Sequence, residues 1–280
     1  RDFDVPIERL FIAPTVDWKI SDRTDLSLNL EYTDDKRPAD FGGIPVIGDR
    51  VADIPFDRIT GEPDDDARNE SLRVGYKLEH RFSDEWKLRN NFSFYDFNPE
   101  FVANSGPVSP RFFNETTGDL NRIYIQNSQP TQSIELQTNV VGKFSTGLLK
   151  HTLLAGFDLN RQTIDTFRRL DFSPQPVFNI FNPVYGLVSR PDNFNDPLPK
   201  TNEFQTDSLG VYLQDQIKLG DKFNILAGIR YDTFRQENEN LENGSNSIQN
   251  KNGFSPRVGF VYQPTKELSL YTCYSTSFAP

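Results

Sequence analysis

Residues Phe223 to Phe234 read FNILAGIRYDTF. The odd-numbered members Phe223, Ile225, Ala227, Ile229 and Tyr231 are apolar, and Asn224, Gly228, Arg230 and Asp232 fall between them. A period of two sends successive side chains to opposite faces of a β-strand, so this strand has one apolar and one polar face. Two surroundings satisfy it. In a soluble sandwich the apolar face lies on a core and the polar face meets bulk water. In an outer-membrane barrel the apolar face meets lipid and the polar face meets a wet lumen.

Composition narrows the choice only in part. The 280 residues include 24 Phe and 10 Tyr, yet the hydrophobic fraction is 36%, so the apolar residues are spread in alternation rather than pooled. No stretch approaches the ~20 consecutive apolar residues of a membrane-spanning helix, which excludes an α-helical membrane protein but not a barrel. Cys273 is the single cysteine, so there is no internal disulfide framework and no cysteine-rich zinc site. A net charge of -10 argues against a nucleic-acid partner, which requires a basic face. The chain starts at Arg1, contains no Met and stops at Pro280 directly after an apolar strand; it reads as an excerpt of a longer protein.

Outward from Phe223, the same alternation recurs in about ten antiparallel stretches. They run Phe11 to Ile20, Asp25 to Asp34, Ser71 to Phe82, Lys87 to Phe97, Ile123 to Phe144, His151 to Phe167, Phe204 to Leu219, Phe223 to Arg235, Gly253 to Tyr262 and Leu268 to Phe278. Hairpin-turn chemistry joins every second pair: SDRT (Ser21 to Thr24), SDEW (Ser83 to Trp86), STGLL (Ser145 to Leu149), GDK (Gly220 to Lys222) and PTKE (Pro264 to Glu267). The remaining connections are long: Lys36 to Asn69, Asn98 to Arg122, Arg168 to Glu203 and Gln236 to Asn252. Strict short/long alternation is what an outer-membrane barrel shows, with short periplasmic turns and long extracellular loops.

The faces agree. Leu72, Val74, Tyr76, Leu78 and Phe82 share one side of their strand, and Ser71, Arg73, Lys77, Glu79 and Arg81 the other, which would be the lumen. Phe254, Val258, Phe260 and Tyr262 point outward between Ser255, Arg257 and Gly259, with Phe260 and Tyr262 read as a girdle pair beside a short turn. In LGVYLQDQIKL the outward row Leu209, Val211, Leu213, Ile217 and Leu219 also contains Asp215, so either Asp215 lies near the headgroups or the strand is bulged there.

Three segments together resemble a known family. LGVYLQDQIKLGDKFNILAGIRYDTF (Leu209 to Phe234), FSPRVGFVYQPTKELSLYTCYSTSFAP (Phe254 to Pro280) and HTLLAGFDLNRQ (His151 to Gln162) are similar, in order and spacing, to consecutive barrel segments of the TonB-dependent ferric-siderophore receptors of Gram-negative bacteria. The resemblance implies an all-β, antiparallel transmembrane barrel of 22 strands plugged by an N-terminal globular domain. Residues 1–280 would then be part of one such barrel domain, with the plug and the TonB-contacting segment absent from this chain. It further implies a cell outer membrane location, uptake of ferric siderophores, and partners in the TonB-ExbB-ExbD energy complex (reached through the absent plug), outer-membrane lipid and lipopolysaccharide. Iron would enter as part of the substrate, with no cofactor. A receptor of the same kind for cobalamin, haem or an oligosaccharide, a passive porin, and a soluble β-rich module are the rival readings.

No enzyme constellation stands out. His80 and His151 are embedded in strands and read as structural, and Cys273 as a small filler. PDDDARNE (Pro63 to Glu70) lacks the spaced ligands and glycine of a calcium loop and reads as a solvated loop tip, with divalent bridging to lipopolysaccharide as the alternative. The binding chemistry lies in two long loops. Phe178, Phe181 and Tyr185 have Arg168, Arg169 and Arg190 nearby, and Arg111, Phe112, Phe113 and Tyr124 form a second set. Rings beside guanidiniums stack on flat aromatic chelators and pair with an anionic iron complex; the competing reading is that the rings pack loop against loop.

Overall fold

The computed structural model describes residues 6–39, 45–105 and 112–279. Among them, one antiparallel sheet of ten staves follows chain order, each stave paired with its sequence neighbours. They are β1 (Glu8–Ile12 and Thr15–Ser21), β2 (Thr24–Pro38), β3 (Asp66–Arg81), β4 (Trp86–Ser105), β5 (Ile123–Ser128 and Thr131–Thr146), β6 (Leu149–Asp171), β7 (Lys200–Leu219), β8 (Phe223–Asn240), β9 (Ser245–Tyr262) and β10 (Leu270–Ser275). β1 and β10 are the edges of this sheet. β1 and β5 are interrupted where Pro14 and Pro130 cannot donate to the ladder. Their carbonyls still accept, from Leu30 N–H and Asp165 N–H, so the ladder continues across both breaks.

Cross-strand register separates the faces. The row Phe94, Ile134, the row Phe157, Val211, Tyr231, Phe254 and the row Ala227, Val258 are directly opposed neighbours on one face. The opposite face carries Lys77 against Asn91, Ser93 against Glu135, and Arg230 against Ser255. Near the short turns Phe223 stacks on Tyr262 at 4.8 Å and approaches Phe260 at 6.1 Å; higher up, Tyr231 meets Phe254 at 4.7 Å. Between these two aromatic levels β8 rises roughly 27 Å at ~3.4 Å per residue, or about 20 Å vertically for a strand tilted ~40°. That approaches the ~25 Å apolar band that an outer-membrane barrel would present to lipid.

The first and third tight turns are smaller than their sequence signatures, whereas the last is longer, residues 263–269. Residues 147–148 alone join β5 to β6, with Gly147 at φ 63°, a conformation open to glycine at little cost. At the other end the strands outrun the alternation: β4 continues to Ser105 and β6 to Asp171. The largest difference is Gln236 to Asn252, expected as a long loop. It is the top of a β-ribbon, with β8 and β9 paired up to Asn240 and Ser245 around a turn at residues 241–244. Above the membrane band water solvates both faces, so polarity there no longer alternates and the ladder alone holds the strands.

Asp215 is not at a bulge: the β6–β7 register is continuous through Leu153 and Asp215 and shifts only between Thr166 and Phe167. It stands on the outward face opposite Ala227, midway between the Phe223 and Tyr231 levels, where Oδ2 lies 2.6 Å from His151 Nδ1, so neither expected arrangement is found. PDDDARNE is not a solvated tip. Pro63 and Asp64 are exposed, Asp65 is buried, and the stretch from Asp66 belongs to β3.

Candidate functional site

Three long connections, residues 45–65, 112–122 and 172–199, fold together at the ends of β2 to β7 opposite the short turns. Ala52, Phe113, Leu120, Phe178 and Ile180 form their shared core, with Ile47, Ile54 and Tyr185 packed on it. Phe113–Asn114, Asp119–Leu120 and Phe178–Asn179 make a small sheet of their own. A barrel of this kind offers no apolar interior, so the loops bury apolar side chains against one another.

A buried ion pair crosses this cap. Arg122 Nη2 donates to Glu62 Oε1 at 2.5 Å, both side chains being almost wholly buried, and the guanidinium lies 4.4 Å from the Phe178 ring. Glu62 Oε2 accepts from Gly186 N–H at 2.7 Å, and the Tyr185 hydroxyl donates to Ile59 O at 2.7 Å. The first and third loops are thereby tied. Asp65 accepts from Glu62 N–H (2.8 Å) and Asn104 N–H (2.7 Å). Burial pushes its carboxyl up to about 7 in spite of these two hydrogen bonds, and the charges of Asp64 and Glu62 add to the rise. Burial also raises the Tyr124 hydroxyl to about 12.

The second site is the lumen wall. Arg230 Nη1 donates to Asp158 at 2.6 Å and Nε to Asp232 at 2.7 Å, with the guanidinium 5.3 Å from the Tyr212 ring. Arg73 lies 4.9 Å over Tyr95. Among the described residues neither Arg73 nor Arg257 has an ion-pair partner. Glycines make the wall flat: a Cβ on Gly210 would meet Arg230 Nη2 at 1.9 Å, and one on Gly156 would meet Thr138 O at 2.5 Å and Tyr212 Cζ at 2.8 Å. Sequence reasoning missed Asp158, Tyr212 and Arg230 as a group. The signal that would have found them is a glycine opposite a large side chain across neighbouring strands.

The residues expected to bind ligand divide by burial. Phe113, Tyr124 and Phe178 are buried in the cap; Tyr124 packs edge-on against Phe194 at 5.7 Å. Tyr185 is half-buried beside Phe178 at 5.6 Å. Arg169 donates to the carbonyls of Asn193 and Pro197, and Arg190 to Asp64 O and Asp66, so both guanidiniums fasten the third loop. Phe181, at 39% exposure, and Arg168 are open to solvent, and Phe112 is half-buried. Arg111 lies outside the described residues. Among the described residues no group of three His, Cys, Asp or Glu side chains is arranged to hold a metal ion.

Residues 17–280 match the family model described as TonB dependent receptor-like, beta-barrel. The chain belongs to the TonB-dependent receptor family. It is a strand array from the barrel of such a receptor, in the outer membrane of a Gram-negative bacterium. This sets aside the soluble β-module. Over 98% of its length the TonB-dependent receptor chain is 28% identical to the metal-pseudopaline receptor CntO of Pseudomonas aeruginosa, covering 39% of that protein. Over 98% of its length it is 30% identical to the ferrioxamine B receptor of Salmonella typhimurium, covering 38%. It therefore spans about two-fifths of the length of the curated relatives it matches. The solved siderophore receptor PiuA from Acinetobacter baumannii superposes with a TM-score of 0.80 at 22% identity, over 99% of this chain and 43% of that one, a likeness of fold.

Proposed function

We propose that the receptor containing this strand array takes up ferric siderophores across the outer membrane. The observation that carries the reading is the pairing of a loop cap, rigidly tied by Glu62 and Arg122, with a polar, arginine-studded lumen wall beneath it, in a chain akin to siderophore receptors along nearly its whole length. Capture falls to the outer surface of the cap, where Phe181 and Phe112 offer rings, with the exposed Arg168 of β6 offering charge; Arg111 joins this set from the sequence alone. Buried Phe113, Tyr124 and Phe178, with Arg169 and Arg190, hold that surface in shape. Transport draws its energy from TonB with ExbB and ExbD, acting on a plug outside this chain. Iron travels within the substrate, and no covalent chemistry is involved.

Above the lipid band the outward ion pairs Arg161–Asp207 and Arg68–Asp34 stand at the height of lipopolysaccharide headgroups and supply the polar contacts to that leaflet. The likeness to a metal-pseudopaline receptor favours a second reading, in which the cargo is another metal chelate.

The test is uptake of radiolabelled iron by iron-starved cells in which the full-length receptor is the only siderophore receptor, supplied with ferrioxamine B or with metal-pseudopaline. Uptake of ferrioxamine B iron, or competition for it, supports the reading; uptake confined to metal-pseudopaline supports the second. Absence of both overturns the assignment.

A further inference from the structure

The lumen face of β1 to β6 becomes positive as it climbs towards the cap. Register sets Glu31, Arg73 and Tyr95 in one row of that face, and Arg37, Ala67, Phe101, Asn127 and Arg168 in a row above it. From the lower row to the upper, the charged side chains on this face among the described residues are Arg9, Arg37, Arg73 and Arg168 against Glu31 and Asp35. The excess is notable in a chain of net charge -10. Asp35 is almost wholly buried between two guanidiniums, with Arg9 Nε donating to Oδ2 at 2.6 Å and Arg37 Nε to Oδ1 at 2.5 Å. One carboxylate shared by two arginines leaves a positive charge over. Arg73 and Arg168 are exposed, and among the described residues neither has an ion-pair partner, although Glu31 is opposite Arg73 in register.

Rings stand beside the free guanidinium. Tyr95 and Phe97, on the same face of β4, stack with centroids 6.1 Å apart and planes 10° from parallel, and Arg73 lies 4.9 Å over Tyr95. A guanidinium laid flat on a ring keeps its N–H edge for a further acceptor. Below Arg73, where Gly75 carries no side chain, a recess of about 570 Å³ opens; Arg73, Asn29, Ser93, Lys77 and Glu135 line it, Lys77 offsetting the charge of Glu135. That volume lies within the ~300–1,000 Å³ of small-molecule sites.

We propose that Arg73, Tyr95 and Phe97 form an inner station on the lumen wall that selects, among metal chelates, those that are anionic and carry flat aromatic rings, as a ferric catecholate does. Its ring stacks beside Tyr95 and Phe97 while its oxygens accept from Arg73. Arg168, at the top of the same face, hands the complex down from the capture surface. A hydroxamate chelate with a free ammonium has no ring to stack and meets like charge along the whole face. The inference rests on the siderophore reading and narrows it to one class of chelate.

The test is equilibrium binding by the purified full-length receptor, titrated with the ferric tris-catecholate of enterobactin and, separately, with ferrioxamine B. The wild type should bind the tris-catecholate at least about tenfold more tightly. Arg73→Gln should weaken it roughly tenfold, the scale of one hydrogen bond to a charged group, and leave ferrioxamine B unchanged. Tyr95→Leu should act in the same direction. A wild type that prefers ferrioxamine B overturns the station and leaves siderophore uptake standing; binding of neither chelate overturns the station, and the uptake assay then decides the wider reading. Unchanged tris-catecholate affinity in Arg73→Gln also overturns it, as does equal loss for both chelates, which would assign Arg73 to holding the plug. Should Arg73→Gln fail to fold, Tyr95→Leu decides by the same criteria.

Discussion

Asp65 shows what the cap asks of a single residue. Its carboxyl is pushed up to about 7 by burial, so between pH ~4 and ~7 the folded cap holds a proton that the opened chain would release. The stability this contributes is fully present below the ordinary carboxylate range and is lost as pH rises through 7. The expected slope is at most ~1.4 kcal/mol per pH unit. Hydrogen exchange at the amides of Glu62 and Asn104, which donate to Asp65, should therefore report less protection at pH 8 than at pH 5, beyond the intrinsic change in exchange rate. Asp65→Asn should flatten the difference. Arg122 makes the complementary case. Arg122→Met leaves Glu62 buried and unpaired, which costs about 3–5 kcal/mol, against much less for Glu62→Gln with Arg122→Met together. Proteolysis within residues 172–199 should accelerate in the single variant while the sheet stays resistant; equal sensitivity of single and double variants would refute the role of the pair.

The elements were legible where two media meet. FNILAGIRYDTF alternates because lipid lies on one side of β8 and the wet lumen on the other, and the ten expected stretches each fall on a stave of the sheet. Gln236 to Asn252 was illegible as strand because both its faces meet water. The cap was illegible for another reason: Glu62 and Arg122 meet although they are 60 positions apart, and no local pattern announces such a contact. Phe113, Tyr124 and Phe178 looked like binding aromatics because composition alone does not distinguish a ring turned outward from one turned inward. The lumen glycines yield a prediction at this scale. Gly156→Ala places a methyl 2.5 Å from the Thr138 carbonyl, which is fixed in the ladder, whereas Gly210→Ala meets the movable end of Arg230. Both overpack, by about 1–3 kcal/mol, with Gly156→Ala the larger. Urea midpoints of the two variants refolded into detergent should rank in that order.

At the scale of the whole molecule the usual arrangement is inverted, with large apolar side chains outermost. Val211, Leu213, Ile229, Phe254 and Val258 are among the exposed ones, while Asp158, Tyr212 and Arg230 line the inside. Everything said of function depends on this orientation, since a lumen that admits a charged chelate has to be the polar face. The most direct test uses the full-length receptor with Cys273 and any cysteine beyond residues 1–280 replaced by Ser, as the background for single cysteines at Ile229 and Gly228, adjacent on β8 and on opposite faces. In lipid bilayers a spin label at Ile229 should relax with dissolved oxygen and ignore a water-soluble nickel reagent, while one at Gly228 should do the reverse. Both positions responding to nickel, or the two exchanging behaviour, would contradict the account.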